Sequence, residues 1–126
     1  MARSTSALIG AALFVSTAWF PAQAGEYPPR SHFTDDGVIY GCLRESDETN
    51  RYELDFRRNN SYTDELSGNG GGYKYNRNRG RIDFRSGPVN RFFLKVVMHG
   101  GSIYEYKLKR QRNGSTWGSC HPIYPS

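Results

Sequence analysis

The sequence predicts an all-β protein, a small antiparallel β-barrel or sandwich of about eight short strands that is closed by one disulfide bond. Three observations support this prediction. Apolar and polar residues alternate with a period of two in several short runs, and Gly, Asn or Pro separates the runs. No run places apolar residues at the three- and four-residue spacing of an amphipathic helix. Finally, the chain has two cysteines, Cys42 and Cys120, in the first and last predicted strands.

The first 24 residues have the pattern of a secretory signal peptide. Arg3 precedes an apolar run over residues 7–20, and Ala22-Gln23-Ala24 follows as a cleavage signal. The run is shorter than the ~20 apolar residues that a membrane-spanning helix needs. No later segment is apolar enough to cross a membrane. We therefore expect cleavage after Ala24 and a secreted or periplasmic location.

Four segments follow from this pattern. Residues 1–24 form the signal peptide, and residues 25–36, which contain Pro28-Pro29 and no periodicity, predict a flexible N-terminal arm. Residues 37–121 form a single β domain, and residues 122–126 are a C-terminal tail. The predicted strands are residues 38–43, 52–56 and 61–66, two strands of a hairpin within 71–88, and residues 92–98, 103–109 and 116–120.

The individual strands differ in their patterns. Residues 52–56 alternate clearly, which places Tyr52, Leu54 and Phe56 inside. Residues 92–98 are apolar on both faces, so this strand is expected to be the most buried. By the same alternation, Tyr104, Tyr106 and Leu108 should face inward. Residues 67–72 predict a glycine-rich loop without the Lys-Ser/Thr of a nucleotide-binding P-loop, and we assign no chemistry to it.

Cys42 and Cys120 are expected to form a disulfide bond, since cysteine pairs in exported domains usually do so. Such a long closed loop stabilises the fold by roughly 4 kcal/mol in the chain-entropy model. A catalytic thiol or a metal site would need further ligands, but no Cys-x-x-Cys motif is present and only His121 is adjacent. We therefore expect no metal ion and no cofactor.

Charge is distributed unevenly along the chain. Residues 25–73 sum to −5 and residues 74–126 to +9. The second half carries a predicted basic hairpin surface, in which aromatic residues alternate with Lys74, Arg77, Arg79, Arg81, Arg85 and Arg91. Such a surface favours an acidic polymer or an acidic protein surface as partner. The alternative is that the hairpin residues Tyr73, Tyr75, Ile82 and Phe84 belong to the core, which leaves only a solvated basic edge.

Two resemblances add expectations. The phrases Tyr52-x-Leu54-x-Phe56-x-x-Asn59-x-x-Tyr62 and Gly80-x-Ile82-x-Phe84-x-Ser86-Gly87-Pro88 resemble a small exported bacterial β-module of uncharacterised function. This resemblance spans most of residues 38–120 and implies fold and export, and the module brings no catalytic residues.

The second resemblance is to secreted guanyl-preferring microbial ribonucleases. Tyr52-Glu53-Leu54, Gly80-Arg81-Ile82-Asp83-Phe84 and Val96-Val97-Met98-His99-Gly100 occur in the order of that family's Tyr-Glu, Arg and His strands. The resemblance implies that Glu53 takes the proton of the 2′-hydroxyl and that His99 protonates the leaving 5′-oxygen. Arg81 would stabilise the phosphoryl charge. Otherwise these three residues belong to a strand surface or a turn.

Three functions are therefore open. The first is an exported, monomeric, non-enzymatic β-module with a binding or structural role at the cell surface or in the periplasm, which contacts polyanions through the basic hairpin. The second is a small secreted ribonuclease. The third is a ligand-binding barrel with an empty apolar interior, although the many Tyr and Phe residues favour a filled one.

Overall fold

The chain folds as a closed antiparallel barrel. The computed structural model describes residues 27–35, 37–49 and 51–123, so the predicted signal peptide lies outside the described residues. Neighbouring strands pair in chain order, and the last strand returns to the first. After a one-turn helix α1 (Ser31–Thr34) the strands are β1 (Ile39–Arg44), β2 (Arg51–Phe56), β3 (Ser61–Asp64), β4 (Gly70–Asn76), β5 (Arg81–Phe84), β6 (Phe92–His99), β7 (Ser102–Arg110) and β8 (Thr116–Ile123). The prediction of an all-β barrel or sandwich of about eight strands is confirmed, and the architecture is the barrel.

The barrel closes where β1 pairs with β8. Cys42 and Cys120 lie directly opposite each other in this pairing, with their Cα atoms 3.9 Å apart, and they form the predicted disulfide bond. Both side chains are buried. The covalent link therefore joins the first and last strands inside the sheet and closes its two edges against each other.

The interior of the barrel is filled by side chains. The alternating inward residues of the strands form one core that is rich in tyrosine and phenylalanine. Aromatic rings contact one another across it at centroid distances of 4.9 Å for Tyr62 and Phe84 and 5.1 Å for Phe56 and Tyr73. As expected, Leu54 and Phe56 are buried while Tyr52 is half-buried at the end of the barrel.

The predicted inward position of Tyr104 is wrong. Tyr106 and Leu108 are buried as expected, but Tyr104 is 64% exposed. The register between β6 and β7 shifts at this point, because Val97 pairs with Glu105 and Met98 with Ile103. Tyr104 is therefore an extra residue that reverses the alternation, as a β-bulge does, and its ring stacks on that of His99 at 4.3 Å.

Glycines 70–72 lie in β4 and not in the predicted loop. A Cβ atom on Gly70 would lie 2.2 Å from the carbonyl oxygen of Tyr62, and one on Gly71 would lie 2.1 Å from that of Ser86. Side chains would therefore push β4 away from its surroundings. The glycine run allows the backbone of β4 to lie close to its neighbours. From the sequence alone, such a run looks the same as a flexible glycine-rich loop.

Both termini of the predicted domain differ from expectation. β8 continues to Ile123, because residues 121–123 pair with β1 even after the pairing with β7 has ended at Cys120. Pro122 is tolerated there since a strand edge does not need every N–H donor. A flexible arm is predicted over residues 25–36, yet within the described residues 27–35 the side chain of Phe33 is buried in the core.

The strand order gives the barrel two distinct ends. At one end β1, β3, β5 and β7 begin, and α1 inserts Phe33 between Tyr40, Phe56 and Tyr75. We call this the plugged end. At the opposite end the odd-numbered strands finish and the even-numbered strands begin, and we call it the arginine end for the residues described next.

Candidate anion-binding site

Four arginines surround a pocket of about 490 Å³ at the arginine end. Arg44 is the last residue of β1, Arg91 directly precedes β6, Arg110 is the last residue of β7, and Arg112 lies in the turn before β8. Since antiparallel strands alternate in direction, the ends of β1 and β7 and the starts of β6 and β8 meet at one rim. We call this cleft the arginine pocket.

The floor of the arginine pocket is aromatic. Tyr52, Phe92 and Trp117 line it, with ring centroids 5.3 Å apart for Tyr52 and Trp117 and 5.4 Å apart for Phe92 and Trp117. Phe92 is 1% and Trp117 is 8% exposed. The three rings therefore seal the core, and the floor of the pocket is rigid.

Close approach of β1 and β8 brings Arg44 beside the aromatic floor. Arg44 pairs with Gly118, and the backbone N–H of Glu45 donates a hydrogen bond of 2.9 Å to the carbonyl oxygen of Trp117. A Cβ atom on Gly118 would lie only 1.9 Å from the carbonyl oxygen of Leu43. Glycine at this position therefore permits the strand approach that sets the place of Arg44.

Gln111 fixes the opposite side of the pocket. Its backbone N–H donates a 2.8 Å hydrogen bond to the carbonyl oxygen of Arg91, and its side-chain amide donates one of 3.0 Å to that of Phe92. Nη1 of Arg110 donates to the hydroxyl of Ser115 at 3.0 Å. The turn after β7 is thus tied to the segment that carries Arg91, which places arginines from two loops around one cleft.

The positive charge of the arginine pocket is not compensated by ion pairs. Within residues 27–35, 37–49 and 51–123 the ion pairs join Arg57 with Asp55, Arg58 with Asp35, Arg81 with Asp83, and Lys107 with Glu105. None of them involves the arginines of the pocket. Guanidinium groups keep their charge at physiological pH, so the pocket stays positive.

Arg44 carries a polar atom without a partner. Its Nε is buried and has no hydrogen-bond acceptor among the described residues. Such buried donors are rare because each costs free energy, and an ordered water or a bound ion is a usual partner. A phosphate, sulfate or carboxylate group in the pocket would accept from Nε and from the neighbouring guanidinium groups.

Most residues of the predicted basic hairpin surface border different depressions of the barrel. Only Arg91 lines the arginine pocket, whereas Lys74 and Arg85 line a separate groove beside Arg30. Arg79 and Arg81 line a third depression on the outside of β5 and β6. Nε of Arg77 donates a hydrogen bond of 2.9 Å to the carbonyl oxygen of Tyr27.

The aromatic residues of that hairpin belong to the core. Tyr73, Ile82 and Phe84 are buried, and Tyr75 is half-buried against the core. The position of these four side chains agrees with the alternative prediction, in which they belong to the core.

The proposed ribonuclease residues lie on separate parts of the surface. Glu53 lines a small depression beside His121, whereas Arg81 lines a different one. Arg81 pairs with Lys95 on β6, and His99 lies four residues further along that strand, roughly 13 Å away. Arg81 also donates a 2.9 Å hydrogen bond to Asp83.

Sequence reasoning missed Arg44, Arg110 and Arg112 as candidate site residues. A signal for them does exist, because each lies at or just after the end of an odd-numbered strand. Assigning these strand ends to one rim from the sequence requires the correct number of strands. One strand more or fewer in the prediction would place half of these residues at the opposite rim.

Shifted pKa values occur away from the arginine pocket. Burial lowers the pKa of His32 at the plugged end and raises the pKa of Tyr75 there to about 12. Burial also raises the pKa values of Tyr62 and Tyr73. The hydroxyl of Tyr62 donates to the carbonyl oxygen of Ser86, that of Tyr73 to Arg57 and that of Tyr75 to Pro28, so these side chains hold loops against the barrel.

Three further findings concern metal ligands, membrane-spanning helices and similarity to known proteins. Over the described ranges no three His, Cys, Asp or Glu side chains are grouped as metal ligands would be. The one described helix is too short to cross a membrane. Comparison with known proteins gives no matching family model, no significant match among curated proteins and none among solved structures.

Proposed function

We propose that this chain is an exported, non-enzymatic β-barrel module that binds acidic groups in the arginine pocket. One observation carries the proposal: among the described residues, arginines from three connecting regions converge on one cleft, where they have no carboxylate partner and the buried Nε of Arg44 has no acceptor. Self-repulsion and an unpaired donor cost stability. A bound anion would offset both costs.

The chemistry of the pocket suits phosphate, sulfate or carboxylate groups. Guanidinium presents paired N–H donors whose geometry matches such oxygens, and each charge-assisted bond contributes about 1.5–3 kcal/mol. Export rests on the signal-peptide pattern of residues 1–24 and is compatible with the disulfide bond. An extracellular or periplasmic acidic polymer is then the expected partner.

Calorimetric titration with a sulfated disaccharide tests the proposal. Arg44→Met keeps the aliphatic stem and removes the guanidinium, so we expect about a tenfold to hundredfold loss of affinity, which is about 1.5–3 kcal/mol. Arg85→Gln is the matched control, since Arg85 is exposed and lies outside the arginine pocket.

Unfolding in urea gives the second readout for the same variant. Arg44→Met should leave the free energy of unfolding unchanged or raise it by about 1 kcal/mol, because it removes a buried unpaired donor. If Arg44→Met bound the disaccharide as tightly as the parent protein and was less stable, Arg44 would be structural and the proposal would fail.

The ribonuclease alternative has a direct test. Single-stranded RNA incubated with the purified protein should remain intact. Cleavage that is lost in both Glu53→Ala and His99→Ala would make the protein an enzyme and contradict the non-enzymatic part of the proposal.

A further inference from the structure

A second basic surface lies on the outside of β5, β6 and β7. Arg79, Arg81, Lys95 and Lys109 line a depression of about 490 Å³ there, together with Tyr27, Phe93 and Gly114. We call these four cations the outer basic face. Lys95 and Lys109 point outward because their strand neighbours Leu94 and Leu108 are buried in the core.

The outer basic face directly adjoins the arginine pocket. Phe92 and Arg110, which line the pocket, pair with each other, and the next pair along the same two strands is Phe93 with Lys109. Successive residues of a strand point to opposite faces. The two sites are therefore separated by one residue step and share the rim of the barrel.

Gln111 connects the two sites by hydrogen bonds. Its amide oxygen accepts from Nη2 of Arg81 at 3.1 Å, and its amide nitrogen donates to the carbonyl oxygen of Phe92 at 3.0 Å. The same side chain therefore holds a cation of the outer basic face and the strand start that forms the pocket floor. The relative placement of the two sites is fixed by these bonds.

The cations of the outer basic face are held in place but remain largely uncompensated. The guanidinium of Arg81 lies 3.6 Å from the ring centroid of Phe93, and Nζ of Lys95 donates to the hydroxyl of Tyr27 at 3.1 Å and to the carbonyl oxygen of Arg79. These partners are neutral. Among the described residues only Asp83 forms an ion pair with this face, through Arg81.

We infer that the ligand is a linear acidic polysaccharide whose chain enters the arginine pocket and continues over the outer basic face. This inference rests on the proposed function of the pocket. A single small anion would use only the pocket, but the cations extend a further three residues along β6 from Phe92 to Lys95, roughly 10 Å. Acidic groups repeated along a polymer match that extension.

The state of the aromatic rings favours a polysaccharide over a nucleic acid. Binding of single-stranded nucleic acid usually relies on bases stacking on open aromatic faces. Here Phe92, Trp117 and Phe93 are buried, and the guanidinium of Arg81 covers the ring of Phe93. Tyr27 and Tyr52 are half-buried, but Nζ of Lys95 lies 4.5 Å from the ring centroid of Tyr27, and the ring of Tyr52 packs against that of Trp117. The combined surface therefore offers more cations than open stacking platforms.

The experiment compares sulfated oligosaccharides of increasing length with the same repeating unit. Titration calorimetry of the purified protein should show affinity that rises from the disaccharide to longer oligomers. The double variant Arg79→Gln/Lys109→Gln should bind the long oligomer about tenfold more weakly and the disaccharide unchanged. For the long oligomer, the magnitude of the slope of log affinity against log salt concentration should be smaller by about two in this double variant, about one for each lost cation contact.

A matched double variant separates a defined path from general charge. Lys74→Gln/Arg85→Gln removes the same charge from the groove on β4, and it should leave binding of the long oligomer unchanged. An equal loss in both double variants would overturn the inference. Tighter binding of single-stranded DNA of equal charge would overturn the polysaccharide class.

The result with the disaccharide distinguishes failure of the inference from failure of the proposed function. Affinity that depends on Arg44 but not on oligomer length would overturn the extended path and leave the arginine pocket as the binding site. Absence of binding to every sulfated oligomer would overturn both.

Discussion

The two ends of the barrel are both closed by aromatic side chains, but different groups cover these side chains at each end. At each end aromatic side chains close the core. At the plugged end α1 covers them and the polar groups have partners: Nε2 of His32 lies 2.7 Å from the hydroxyl of Tyr106, and the hydroxyl of Tyr75 donates to Pro28. At the arginine end the covering layer is four arginines, and Nε of Arg44 has no acceptor in the part of the chain that the structure describes.

This contrast separates a stability element from a candidate binding element. Packed rings and satisfied hydrogen bonds are what a fold needs, and they contribute to stability without any ligand. Clustered like charges and an unpaired buried donor oppose folding. A feature that costs stability within an otherwise well-packed molecule is more readily explained by binding than by structure.

The largest expected effect concerns Phe33. Phe33→Ala removes a ring that is 1% exposed and contacts four rings of the core. We expect a loss of about 3–5 kcal/mol in the free energy of unfolding, as for other buried phenylalanines. The midpoint and slope of urea unfolding measure it.

Binding measurements on the Phe33 variants test whether the plugged end affects stability alone and not the arginine pocket. Phe33→Leu, which keeps most of the volume, should lose less stability, and folded Phe33→Ala should bind the sulfated disaccharide with unchanged affinity. If Phe33→Ala unfolded at the same urea concentration as the parent protein, α1 would not act as a plug.

At the arginine end, the substitution that corresponds to Phe33→Ala is Gly118→Ala. A methyl group there would lie against the carbonyl oxygen of Leu43, so β1 and β8 must separate locally. We expect Gly118→Ala to cost about 1–3 kcal/mol of stability, which is typical of overpacking. It should also weaken binding of the disaccharide, because Arg44 and Trp117 are placed by this strand pairing.

Gly72→Ala is the control for Gly118→Ala. Gly72 is also a strand residue, but a Cβ atom there would meet its nearest neighbour, the carbonyl oxygen of Asn60, at an ordinary 3.7 Å. The control should retain both stability and binding. Equal stability of the two variants would show that the close approach at Gly118 is relieved without moving the strands.

The sequence predicts the barrel better than the candidate site for a physical reason. Alternation in residues 52–56 and the cysteine pair are local or pairwise signals, and they suffice to predict a barrel or sandwich of about eight strands with a disulfide bond. The choice of a barrel depends on the pairing of β1 with β8, which is a tertiary contact. The plug was missed because Phe33 stands alone in a segment without periodicity. A single buried side chain leaves no pattern along the chain.

The arginine pocket was missed because its members are far apart in the sequence. Charge counting selects the dense run of basic residues from Lys74 to Arg91, but most of those residues border three separate depressions and only Arg91 lines the arginine pocket. Register and the bulge opposite Val97 and Met98 are set by tertiary packing, and alternation alone does not locate them.

The smallest expected effect tests the plugged end by pH. Burial lowers the pKa of His32 in the folded protein below its usual 6.5, so the unfolded chain binds a proton there more readily. Between these two pKa values the unfolded state carries more protons, and the free energy of unfolding must therefore fall as the pH falls through about 6.5. The stabilising contribution of neutral His32 is complete only above that pH.

Urea unfolding at about pH 7.5 and about pH 5.5, on either side of the unfolded pKa, measures this effect. His32→Gln should reduce the difference in midpoint between the two conditions, whereas His121→Gln, which changes an exposed histidine, should retain it. Asp35 lines the same depression as His32, but its carboxylate is paired with Arg58 at 3.0 Å. A pH dependence unchanged in His32→Gln would show that the plug does not exclude water from the imidazole. Because the proposed anion binding depends on guanidinium groups alone, affinity for the disaccharide should stay constant over the same pH range, so that pH acts on one end of the barrel and not on the other.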